Sequence, residues 1–204
     1  MTRHTCSWIA LGDSYTIGEA VPLHESFPYQ ALQLLRKRGF HFHAPEIVAK
    51  TGWTTFELAD HMLHTTFNDQ YDFVTLLIGV NNQYRGLPLD DFKSDFEFLL
   101  KKAIRFTAGN AKRVLVISIP DWGTTPFALG REIKKIASEI DCFNQAKKEI
   151  SDRYNVRFID ITSKQRADGS DIAFVTTDKL HPSAKEYAKW AEGVAEHFVK
   201  QLSD

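Results

Sequence analysis

Residues 9–19 read IALGDSYTIGE: a short apolar run, a Gly-Asp-Ser step, then a segment able to begin a helix. Asp and Ser are the commonest residues where a strand gives way to a helix, because their side-chain oxygens cap the first free backbone N–H groups. Taken alone, the step at Ser14 favours a helix cap over a reactive hydroxyl. The rest of the chain decides between the two.

Four further apolar runs resemble the first. With residues 8–11 they are 46–49, 73–78, 113–119 and 156–161, each rich in β-branched or aromatic residues and most bounded by Gly, Pro, Asn or Asp. Segments with helical spacing lie between and after them. Residues 26–38 place Phe27, Leu32, Leu34 and Leu35 near one side, and residues 89–106 align Phe92, Phe96, Leu99, Leu100 and Ala103. Residues 132–153 carry Ile133, Ile136, Ile140, Phe143 and Ile150; residues 182–202 carry Tyr187, Trp190, Val194 and Phe198; and 54–63 gives a weaker helical pattern. Alternating strands and helices predict a doubly wound α/β sandwich, a mostly parallel sheet covered on both faces. Residues 162–177 lack a clear element and are read either as a mobile loop or as carrying a short extra strand at 172–175.

The 204 residues suit one domain of this class, with 43% hydrophobic and 25% charged residues arguing against a disordered or fibrous chain. Lys and Arg number 25 against 26 for Asp and Glu, so no long-range field favours nucleic acid or anionic lipid. Cys6 and Cys142 are too few for a disulfide framework and lack metal-ligand spacing. The N-terminal apolar run is too short for a signal peptide, and no run reaches membrane-spanning length, so a cytoplasmic location is the default expectation.

In a doubly wound sheet, ligands bind outside the carboxyl ends of the strands. The loops there hold a set of complementary groups: Ser14 in GDS after the first strand, Gly52 in TGW after the second, Asn81 in GVNN after the third, and Asp178 and His181 in DKLH near the end. A serine hydroxyl becomes nucleophilic when an imidazole removes its proton, and a carboxylate fixes the imidazole tautomer. Asp178 and His181, three apart in a turn, can meet the second need; Pro182 then fits a first helical position that would fix His181. A developing oxyanion needs waiting donors, which the Gly52 backbone N–H and the Asn81 amide can supply.

Taken together, GDS, the lone glycine, GxN and the terminal DxxH resemble the GDSL or SGNH hydrolases. The resemblance runs from Gly12 to His181 and implies a three-layer α/β/α flavodoxin-like sandwich, with a mostly parallel five-stranded sheet in the order 2-1-3-4-5. It also implies ester hydrolysis with no metal or other cofactor. By position, Ser14 would be the nucleophile and, through its own N–H, an oxyanion donor beside Gly52 and Asn81; His181 would be base and acid, with Asp178 its partner. Two departures stand out: Tyr15 follows the serine where the family often has leucine, and Asn82 replaces the usual Asp of GxND.

Trp53, Tyr84, Arg85, Trp122 and Phe127 fall in or near these loops and are candidates for a substrate pocket. His41 with His43, and His61 with His64, share faces at strand and helix spacing but lack a ligand set, and are read as surface histidines. The expected partner is a small ester: an acetylated carbohydrate, a lysophospholipid, a thioester or a short acyl ester. A non-catalytic flavodoxin-like small-ligand module is the rival reading, and an acyltransferase using the same acyl-enzyme is another; oligomeric state is not readable from the chain. No GxGxxG or GxxxxGK[ST] motif supports a nucleotide site.

Overall fold

The computed structural model describes residues 4–168 and 171–203. Five strands, β1 (Trp8–Gly12), β2 (Glu46–Ala49), β3 (Phe73–Leu77), β4 (Val114–Ile117) and β5 (Arg157–Ile159), form one parallel sheet in the order 2-1-3-4-5. β1, β3 and β4 are buried along their whole length, while the edge strands β2 and β5 are only partly covered. Continuous apolar runs without polar alternation are what a sheet covered on both faces requires.

Helix α2 (Phe27–Lys37) packs on α8 (Ala184–Ser203), while α3 (Thr55–Leu63) packs on α5 (Leu89–Phe106) and α5 on α6 (Ile133–Arg153), giving the two helical layers. Phe198 of α8 shows how tightly the first layer meets the sheet. Its ring stacks on Phe73 at 4.1 Å between centroids and meets Trp8 edge-on at 5.0 Å. Burying a side chain of that size contributes about 1.5–3 kcal/mol. No helix among the described residues is long and apolar enough to cross a membrane.

Register sets the position of the site. Gly12 pairs with Leu77 as well as with Ala49, so β1 and β3 end level with one another. These two strands flank the point where the strand order reverses, the usual crevice of such a sheet. Gly12 is dictated by space: a Cβ there would fall 2.4 Å from the Leu77 carbonyl oxygen and 2.1 Å from Thr16 Oγ1.

Two expectations need correction. Residues 172–175 form no strand: Ile172–Phe174 is a 3-10 turn capped by Asp171, whose side chain accepts from Ala173 N–H, and Val175 makes only an isolated antiparallel bridge to Pro182. Nor does Pro182 open a helix, because α8 starts at Ala184. Thr176 N–H donates to His181 O and Ser183 N–H to Phe174 O, at 2.8 and 2.9 Å, which keeps residues 181–183 extended. The helix that the cap-like Asp-Ser step suggested is α1 (Ser14–Ile17); two further short helices, α4 (Val80–Tyr84) and α7 (Thr162–Asp168), were not foreseen as elements.

Candidate active site

Asp13 follows β1 directly and caps α1, its Oδ1 accepting from Tyr15 N–H at 3.0 Å. The helix cap is thus Asp13 and not Ser14, whose side chain is left for other work. Ser14 Oγ lies 2.9 Å from His181 Nε2, and His181 Nδ1 lies 2.6 Å from Asp178 Oδ2. Ser14 and His181 are both buried.

The turn at residues 176–181 is built around the Asp178 carboxylate. Its Oδ1 accepts from Thr176 Oγ1 (2.7 Å), Leu180 N–H (2.8 Å) and His181 N–H (3.0 Å). Partial burial acts to raise the Asp178 pKa, but the bonds from His181, Thr176 and the two backbone amides outweigh it and hold the group down at about 2. A carboxylate that stays ionised accepts a hydrogen bond from His181 Nδ1–H, which keeps the proton on Nδ1 and leaves Nε2 bare to accept from the Ser14 hydroxyl. Thr176 escaped the sequence reading because a lone Thr two residues before an Asp carries no distinctive pattern.

Tyr15 is buried against this line. Its ring lies 5.4 Å from the His181 imidazole and 6.1 Å from Trp190, so the residue in the family's leucine position braces the histidine from the core side.

Gly52 and Asn81 are linked through their neighbours, Asn81 by a bond to Trp53 and Gly52 by a bond from Arg85. Gly52 is left-handed, with φ 83°, and a Cβ would touch only the Arg85 guanidinium at 3.5 Å. Backbone conformation, more than space, calls for glycine here. The Asn81 amide donates to Trp53 O at 2.9 Å, and Arg85 Nη2 donates to Gly52 O at 2.6 Å, so both residues tie the loop after β2 to α4. Asn82 adds the tightest clamp: Oδ1 accepts from Thr55 N–H (3.0 Å) and Nδ2 donates to Thr55 Oγ1 (2.8 Å), which donates onward to Asp95 Oδ2 (3.1 Å). Since a backbone N–H can only donate, the amide orientation is fixed.

Beneath Ser14 lies a buried pair of titratable groups. Lys147 of α6 is fully buried and donates to Ile78 O (3.1 Å) and Ile117 O (2.7 Å), bridging the ends of β3 and β4. Burial lowers the Lys147 pKa and raises that of Asp13, each change opposed by the charge of the other. Asp13 Oδ2 and Thr16 Oγ1 find no hydrogen-bond partner among the described residues. Lys147 was read only as part of an amphipathic helix, since burial of one lysine leaves no mark in the spacing.

The sequence matches the model of the GDSL-like lipase/acylhydrolase family over residues 10–189, a span that includes Ser14, Gly52, Asn81, Asp178 and His181. The chain belongs to the GDSL-like lipase/acylhydrolase family. As a GDSL-type protein it is an ester-hydrolysing enzyme. No curated protein matches its sequence closely enough to count as a relative. Among solved structures it is similar to the lipase/acylhydrolase from Enterococcus faecalis (18% identity, TM-score 0.77, 97% of each chain covered). It is also similar to the psychrotrophic esterase EstA from Pseudoalteromonas sp., in a structure inhibited by monoethylphosphonate (19% identity, TM-score 0.69, 97% of this chain and 99% of that one). A third is Axe2, an acetyl-xylooligosaccharide esterase from a Geobacillus (16% identity, TM-score 0.73, 100% of this chain and 97% of that one). At these identities the likeness speaks for the fold.

The five pocket candidates of this GDSL-type chain divide into two groups. Trp53 packs on His61, 4.8 Å between centroids, and Arg85 pairs with Glu57 at 3.3 Å, both beside the Gly52 loop. Tyr84, Trp122 and Phe127 form an aromatic wall of their own, with Trp122 at 5.3 and 6.0 Å from the other two rings. Trp122 is buried and its indole N–H is spent on Gln83 Oε1 at 2.7 Å, so it forms the back of that wall. His41 and His43 are exposed on either side of buried Phe42, and His64 Nδ1 lies 2.8 Å from Asp60 O. His4, Cys6 and Asp72 bring ligand-type atoms within 4.8 Å of one another, but the Asp72 oxygens also accept from Ser7 and Arg113, which makes this a clamp between chain segments.

Proposed function

We propose that the protein hydrolyses small carboxylic esters through an acyl-enzyme on Ser14. Ser14 Oγ attacks the ester carbonyl carbon while His181 Nε2 takes its proton; Asp178 holds the tautomer and stabilises the imidazolium. The oxyanion is received by the N–H groups of Ser14 and Gly52 and by the Asn81 amide. Collapse breaks the bond to the alcohol, which leaves with the proton from His181. Water, deprotonated by the same histidine, then attacks the acyl-serine and releases the acid and the free Ser14 hydroxyl.

The observation that carries this reading is the continuous hydrogen-bonded line from Ser14 Oγ through His181 to Asp178, with distances of 2.9 and 2.6 Å. A binding module would not need a carboxylate held ionised behind an imidazole. The small-ester substrate draws further support from the acetyl-ester activity named for one of the fold neighbours. The test is hydrolysis of p-nitrophenyl esters of increasing acyl length by the native protein and by Ser14→Ala. Loss of turnover in the variant with its fold intact is expected; equal turnover would exclude the mechanism.

A further inference from the structure

The wall made by Tyr84, Trp122 and Phe127 is joined to both halves of the site. Tyr84 lies one helical turn beyond Asn81 on α4, and Phe127 N–H donates at 3.1 Å to the carbonyl of Lys179, in the turn that carries Asp178 and His181. Over this wall lies Arg131. Its guanidinium carbon stands 5.6 Å from the Tyr84 ring centroid, 5.4 Å from that of Trp122 and 5.2 Å from that of Phe127. Arg131 makes no ion pair to a carboxylate among the described residues; its neighbour Glu132 has Lys135 at 3.9 Å.

Arg131 and Tyr84 are both exposed at the surface. Arg85, Arg153 and Arg166 pair with carboxylates, whereas the Arg131 guanidinium lies over three aromatic rings. Three ring faces attract and orient the guanidinium plane, so little side-chain freedom remains to be lost when its N–H edges meet a ligand. Those edges form a planar fork that suits an oxyanion group such as a carboxylate, where two parallel bonds form at once.

We propose that Arg131, seated on Tyr84, Trp122 and Phe127, is a recognition site for a negatively charged group on the ester, so that the enzyme selects anionic esters over neutral ones of the same shape. The proposal rests on the serine-esterase reading above, and names the substrate class of that site. The charged group can stand on either side of the scissile bond, on the departing alcohol or on the acyl chain.

The test is a pair of matched comparisons followed by acid release in a pH-stat. 4-Acetoxybenzoate against 4-acetoxybenzamide carries the charge on the departing side; ethyl hydrogen adipate against the ethyl ester of adipic acid monoamide carries it on the acyl side, so that each molecule has a single ester. In the native protein the ratio of kcat/KM for the charged ester over the neutral one is expected to be high in one arm. Arg131→Gln should lower that ratio about tenfold, chiefly through KM, and Arg131→Lys should lower it less, since the charge remains and the fork is lost. The same ratio in native protein and Arg131→Gln in both arms would overturn the proposal, even if thermal stability falls, because Arg131 would then only hold the aromatic wall together. Native protein inactive on all four esters would overturn the esterase reading itself, and the proposal with it.

Discussion

Asp178 Oδ2 lies 2.6 Å from His181 Nδ1 while its other oxygen accepts from three donors of the same turn. One carboxylate therefore both builds the loop and sets the tautomer of the imidazole that faces Ser14.

Replacing Asp178 with Asn keeps an oxygen for the backbone amides but removes the charge, and turns a group that accepts from Nδ1–H into one that can donate. Turnover of a p-nitrophenyl ester should fall by about 10²–10⁴-fold, with circular dichroism little changed. The pH dependence follows from the same group. Its folded pKa, about 2, lies below the ordinary 3.8, so its stabilising contribution is complete above the unfolded value and is lost as pH falls from about 4 towards 2. Acid unfolding curves of native protein and Asp178→Asn should therefore converge in that window; curves that stay parallel through it would assign the acid sensitivity elsewhere.

Asn82 clamps Thr55 as acceptor and donor at once. Asn82→Asp keeps the acceptor for Thr55 N–H but sets a second carboxylate competing with Asp95 for the Thr55 hydroxyl, so ester turnover should stay within about tenfold of native. Asn82→Ala leaves Thr55 N–H buried without a partner. It should lose about 1–3 kcal/mol in urea denaturation, and turnover should fall as the Gly52 loop loosens.

Gly12 and Gly52 should fail in different ways. A Cβ at Gly12 strikes backbone, the Leu77 carbonyl at 2.4 Å, so Gly12→Ala must part β1 from β3 and should cost more than about 3 kcal/mol of stability. At Gly52 a Cβ has room, and the cost of Gly52→Ala is that of a left-handed alanine, about 1–2 kcal/mol. Its larger effect should be on kcat, through a displaced N–H donor. Thermal melts and kcat for the two variants give the comparison.

Lys147→Met removes the donor to Ile78 O and Ile117 O and leaves Asp13 buried without an opposing charge. Leaving a buried carbonyl without its donor costs about 1–3 kcal/mol, and guanidinium denaturation should read a loss of at least that order. A loss no larger than for a surface lysine would mean that Asp13 is already neutral in the native protein and the two carbonyls are satisfied otherwise.

The strand order and both helical layers were legible because the five apolar runs and the stripes on α2, α5, α6 and α8 are strong periodic signals, and the ordered motif set added the topology. Residues 162–177 were not. Helix α7 is short and polar, and residues 172–175 form a turn whose apolar side chains mimic a strand. Pro182 looked like a helix opener, yet backbone bonds from Thr176 and Ser183 hold that segment extended, a tertiary arrangement that a proline signal cannot foretell. For the candidate site, chain order suggested Ser14, Gly52, Asn81, Asp178 and His181, and hydrogen bonds join Ser14, His181 and Asp178. Their supports, Thr176, Lys147 and the Asn82–Thr55 clamp, depend on contacts between distant segments. Arg131 escaped for the same reason, since its three rings come from helix α4 and from the turns after β4.

The most direct measurement is intact-protein and peptide mass spectrometry after treatment with an activated ethylphosphonate ester, alongside residual esterase activity. A serine mechanism predicts one phosphonyl adduct per chain, located on Ser14, rising in step with the loss of activity and absent from Ser14→Ala. An adduct on another residue that tracks inactivation, or full esterase activity in Ser14→Ala, would contradict it.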